Sequence, residues 1–156
     1  MFMLPSWLII GGVTLIVALL SNRLQSARDF RWFMSLRRPR WLTFEWAIPF
    51  IWIFILFCGS WSAVQVWETS HNLGLMVGYL LLEIVILSYT LVMCKLRRLR
   101  VGTIVGGAGF VLGCLLAVNV WSVSKGAFGL LLPYLLWSPI GTFVTWQMMG
   151  LNPSDN

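Results

Sequence analysis

The chain has 156 residues, of which 59% are hydrophobic and only 10% charged. A water-exposed domain carries roughly 25% charged residues, so the polar shell of a soluble globular fold is missing. The net charge of +6 does not mark a nucleic-acid binder either, because ten of the eleven basic residues sit in two connectors that bracket apolar runs instead of forming one basic face.

Taken in chain order, the first apolar run covers about 4–20 and meets no charge before Arg23. It has no basic stretch ahead of it and no small-residue cleavage pattern, so it is expected to remain as a span. The second run, about 46–67, has no charge, and the third, about 73–94, carries one acid, Glu83. The fourth and fifth cover about 101–121 and 126–150. Each is long enough for a helix across a bilayer, which needs roughly 20 apolar residues, and none alternates as a barrel strand would. The expected fold is all-α and integral to the membrane: one domain over 1–156, a bundle of five transmembrane helices.

Arg23, Arg28, Arg31, Arg37, Arg38 and Arg40 lie in the first connector, and Lys95, Arg97, Arg98 and Arg100 in the third. Basic connectors stay on the cytoplasmic side. The N-terminus is therefore expected outside, with connectors 1 and 3 and the C-terminus inside. Trp7, Trp46, Trp67, Trp121 and Trp146 fall near span ends, where indoles anchor at the interface.

The first connector, about 21–45, mixes Phe30, Trp32, Phe33, Met34 and Leu36 with arginines. That mixture suits a short helix on the headgroups or a lid over the mouth of the bundle. Cys58, Cys94 and Cys114 lack C-x-x-C spacing and read as small apolar residues.

On a wheel of 100° per residue, Trp46, Phe50, Phe54, Phe57 and Trp61 of the second span fall within about 80°. Trp52, Gly59 and Ala63 fall nearly opposite. Helix interfaces in lipid favour small residues, so the bulky stripe is expected to face lipid and Trp52 to face inward. Pro49, one turn earlier, is expected to bend the helix. In the fifth span Tyr134, Trp137 and Gly141 share a face, with Thr145 a turn later and Pro133 and Pro139 nearby. Two inward tryptophans beside small residues either pack a core or line a flat aromatic cavity.

An acid at membrane depth is costly. Glu83 is expected to be protonated, to pair with a hydroxyl such as Ser88 or Tyr89, or to meet a ligand. Gly102, Gly106, Gly109 and Gly113 give overlapping G-x-x-x-G spacings, which serve packing within the bundle or a homodimer. With one histidine, His71, no metal cluster can be assembled, and no Ser-His-acid set or phosphate loop is present.

The run Arg31-Trp32-Phe33-Met34-Ser35-Leu36-Arg37-Arg38-Pro39-Arg40-Trp41, the spacing through Trp46, Trp52, Gly59 and Trp67, and the segment Pro133-Tyr134-Leu135-Leu136-Trp137 resemble the TspO/MBR family (tryptophan-rich sensory protein and translocator protein), in its bacterial branch. The resemblance covers essentially the whole chain. It implies a five-helix receptor or translocator that binds tetrapyrroles (porphyrin, haem or bilin) beneath the first loop, in stress sensing or tetrapyrrole transport, with no required cofactor. Carried onto this sequence, it implies ligand contacts from Trp32, Phe33, Pro39, Trp41, Trp52, Trp137 and Gly141. Tyr134, from the matched motif, and Glu83, near a position that is commonly Gln in the family, complete the expected set. Light-dependent porphyrin breakdown, with Trp52 and Trp137 as the working residues, is the alternative, as is a transporter or interaction subunit. The chain departs from the pattern at Thr43-Phe44, where the family has two prolines, and at 87–91, where its Asn and Trp-Pro are missing. No basic residue follows Trp146, so a sterol ligand is not expected.

Overall fold

The computed structural model describes residues 4–155. It contains helices α1 (Ser6–Leu24), α2 (Ala27–Ser35), α3 (Ile48–Ser70), α4 (Leu73–Leu96), α5 (Leu99–Val123) and α6 (Lys125–Leu151), with no strand among the described residues. All but α2 are long and apolar enough to cross a membrane. The five spans expected from hydropathy are present, extended by a few residues at several ends.

Local chemistry sets the boundaries. Ser26 opens α2 with a reciprocal capping box, its hydroxyl accepting from Asp29 N while the Asp29 carboxylate accepts from Ser26 N, which satisfies two otherwise orphaned N–H groups. Asn72 and Ser124 cap α4 and α6 in the simpler way, through side-chain oxygens. His71 and Arg97 close α3 and α4 in the left-handed conformation, at φ 48° and 50°. Pro49 lies in the first turn of α3, where its missing N–H has no intrahelical partner to lose. It therefore starts the helix, and the bend expected from it is not required. α6 runs on through Pro133 and Pro139 as one helix.

The spanning helices close a ring in the order α1, α3, α6, α5, α4, with α3 also reaching α4 and α5 across it. The aromatic stripe of the second span lies outside, Trp46 just ahead of α3 at 75% and Phe57 within it at 67% exposure, while Ile55, Ser62, Ala63 and Val66 lie inside. Lipid tails are as apolar as the side chains they touch, so close approach and hydrogen bonds hold such helices together. Ser62 supplies one junction, bonded to the Tyr79 hydroxyl at 2.6 Å and donating to Ala127 O at 2.7 Å. The α5 glycines supply another. A Cβ on Gly113 would lie 2.5 Å from the Tyr134 ring, and one on Gly109 2.9 Å from its hydroxyl. Gly102, Gly109 and Gly113 are buried inside the monomer, so that glycine face serves bundle packing. By contrast α1 buries none of its residues.

Candidate functional site

The first connector folds back over one end of the bundle. Phe33, on α2, packs with Trp32 against a cluster of Leu36, Met93, Leu99 and Met148. The Lys95 ammonium meets the Asp29 carboxylate at 2.9 Å. That contact and the Ser26 N–H pull the Asp29 pKa from 3.8 down to about 2, since both favour the charged form. The C-terminal tail completes the attachment. Trp32 Nε1 donates to Asp155 Oδ1 at 2.8 Å, and Asn152 bonds to both backbone groups of Arg37. The connector thus covers this end of the bundle, while Phe30 and Met34 of α2 stay exposed.

Under the lid is a cavity of about 130 Å³ between α3, α4, α5 and α6. Trp52 reaches it from α3, and Trp137 and Gly141 from α6. Phe33, Arg38 and Glu45 contribute the roof. Arg38 organises that roof: it is ion-paired with Glu45 and lies 5.2 Å above the Phe33 ring, a cation–π distance. In its wall, Tyr89 and Thr145 join α4 to α6 through their hydroxyls.

One polar atom in this cavity is unsatisfied. Trp137 Nε1 is buried and has no acceptor among the described residues. A Cβ on Gly141 would lie 3.9 Å from that nitrogen, so the glycine keeps bulk away from the indole N–H. Buried indole N–H groups normally find partners.

The residues singled out from sequence therefore divide into groups. Phe33, Trp52, Tyr134, Trp137 and Gly141 line the lid cavity. Trp32 belongs to the lid but turns to Asp155 and the methionine cluster. Pro39 is buried in the turn that follows, where its carbonyl accepts from Leu42 N at 3.1 Å. Trp41 lies outside the cavity, donating to Gln147 Oε1 at 2.7 Å and stacked on Phe143. Glu83 lines a different cavity, and so do Gly59 and Ala63, the small residues that share the Trp52 face. Its hydroxyl partner is Thr14 of α1 at 3.3 Å, whereas Ser88 turns to Val85 O and Tyr89 to Thr145.

Sequence reasoning missed Arg38, Glu45, Tyr89 and Asn152. Tyr89 could have been sought opposite Thr145, since both hydroxyls lie at depth and need partners. For Asn152, in a polar tail beyond the last span, no signal was available.

Among the described residues, no group of three or more His, Cys, Asp or Glu side chains could hold a metal ion. No curated protein matches the chain. The TspO/MBR family model matches residues 8–151, which covers all of the five spanning helices except the first two residues of α1, and the chain belongs to that family.

Proposed function

We propose that this protein binds a tetrapyrrole (porphyrin, haem or bilin) in the lid cavity and acts as a receptor or translocator in stress sensing or tetrapyrrole transport. The observation that carries the reading is the convergence of Trp52 and Trp137 on one cavity. Two indoles from different helices offer π-faces to a flat aromatic ligand, and the free Trp137 N–H offers a hydrogen bond to a carboxylate or carbonyl at its edge. Family membership supports the same ligand class.

Size adds a condition. Small-molecule pockets hold roughly 300–1,000 Å³, and the lid cavity holds about 130 Å³. A tetrapyrrole is thus admitted only when Phe33 and Arg38 lift with the lid. The lid is held by polar contacts and one small apolar cluster, the kind of attachment that opens locally without unfolding the bundle.

The test is quenching of tryptophan fluorescence by protoporphyrin. We expect a Trp52→Ala/Trp137→Ala double variant to bind at least tenfold more weakly than wild type. Equal affinity would remove both residues from the site. The second reading, light-dependent porphyrin breakdown, is favoured by the same pair of oxidisable indoles at one cavity. It requires illuminated turnover to a defined product that disappears on substituting either tryptophan. For topology, the concentration of basic residues in connectors 1 and 3 supports a lid on the cytoplasmic side.

A further inference from the structure

A second cavity, about 330 Å³, lies between α1, α3, α4 and α6, and reaches from the Glu83 level to the end away from the lid. Tyr134 and Ile86 line both cavities and so form the wall between them. Its walls are mainly aliphatic, including Ile10, Ile55, Met76 and Leu131, with Trp67, Tyr79 and Tyr134 among them. Glu83 is the one charged residue in the lining, and no basic residue faces it.

The carboxylate there is short of donors. Thr14 Oγ1 lies 2.8 Å from Ser60 Oγ and 3.3 Å from Glu83 Oε2. The single Thr14 proton serves one or the other, so at most one donor reaches a group that accepts about four hydrogen bonds. Glu83 Oε1 is buried with no donor at all among the described residues. A buried carboxylate without a partner is expensive: it takes up a proton or is met by a donor, and an ammonium can do both, leaving an ion pair.

We propose that this cavity is a second ligand site, separate from the lid cavity, which takes a lipophilic primary amine: its alkyl body lies among the aliphatic side chains and its ammonium donates to Glu83 Oε1. Charge sets the selectivity. A fatty acid, or the propionates of a porphyrin, would bring like charge to a site with no compensating cation. Access is from the side. Ile9 and Val13 of α1 and Leu80 of α4 line the cavity and are exposed on the outer surface, where a membrane-dissolved amphiphile would meet them. Depth separates a free amine from the ammonium of a phospholipid. Glu83 is ten residues into α4 from Leu73, or about 15 Å at 1.5 Å per residue. That is near the middle of a hydrocarbon core of roughly 30 Å, below the level of headgroups.

The test uses the full chain in phosphatidylcholine nanodiscs and a diazirine-bearing dodecylamine as photolabel, with labelled positions mapped by mass spectrometry. The expected result is labelling on lining residues such as Ile10, Val13 and Leu56, abolished by excess dodecylamine and untouched by dodecanoate. Glu83→Gln should lower it at least tenfold. Gly59→Leu should do the same with the carboxylate intact, because a Cβ at Gly59 meets nothing within 4 Å and the longer side chain fills the space. Thermal unfolding of each variant shows whether it is folded, and Gly59→Leu alone decides the matter if Glu83→Gln is not. Labelling that survives in the folded variants overturns the proposal, as does equal competition by dodecanoate. Displacement of the label by phosphatidylethanolamine in the nanodiscs would assign the site to a headgroup and overturn it as well.

Discussion

Asn152 holds the Arg37 peptide by both of its polar groups, its Oδ1 accepting from Arg37 N and its Nδ2 donating to Arg37 O, each at 2.9 Å. An asparagine beyond the last spanning helix thereby fixes the segment that roofs the tryptophan cavity, 115 residues earlier in the chain. The pairing mimics a rung of β-ladder and sets the lid's position without constraining its side chains.

Removing that clamp should loosen the lid and leave the bundle intact. Each bond is worth about 0.5–1.5 kcal/mol net. Asn152→Ala is therefore expected to raise amide exchange over α2 by about tenfold, and to speed protoporphyrin association. Hydrogen-exchange mass spectrometry compares the α2 peptides with those of α5, which should not change.

Acid should release the lid through Asp29. Its carboxyl titrates at 3.8 when free and at about 2 when capped and paired with Lys95. The folded value is the lower one, so the detached state takes up a proton first as pH falls. The stabilisation is complete well above pH 4 and is lost as pH drops toward 2. Exchange over α2 should rise in that window in wild type and lose that pH dependence in Asp29→Asn.

Trp137→Phe keeps an aromatic ring and deletes the unpartnered N–H. If that donor meets the ligand, protoporphyrin affinity should fall about three- to tenfold, the worth of one hydrogen bond. Trp137→Ala should cost more, since the stacking face goes as well. Fluorescence titration of both variants separates the two contributions.

Packing of α5 on α6 should be intolerant of a single methyl group. At Gly113 a Cβ would lie 2.5 Å from the Tyr134 ring, whereas at Gly107 nothing lies within 4 Å. Overpacking costs about 1–3 kcal/mol, so Gly113→Ala should lower the thermal midpoint in detergent and Gly107→Ala should not.

Topology can be read with a membrane-impermeant thiol reagent. Thr69→Cys, at the exposed end of α3, should react in intact cells, and Ser35→Cys, on the exposed face of the lid helix, only after permeabilisation. The reverse pattern would invert the bundle.

The sequence by itself determined the class, the number of spans and the inward side of α3. Those properties follow from local composition: a bilayer demands long uncharged helices, and one wheel separates Trp46, Phe50 and Phe57 from Trp52. The glycines of α5 were legible for the same reason, because their spacing is itself a statement about one face. Which inward residues share a space was not legible. Trp52 and Gly59 lie on one face of α3 but open onto different cavities, since Tyr134 and Ile86 stand between them. Glu83 found Thr14 on α1 instead of a neighbour on its own helix, and the lid was fixed by a tail that hydropathy does not see. Period and composition describe one helix at a time. A cavity is made by the rotation and height of several helices against one another, and only their packing settles those.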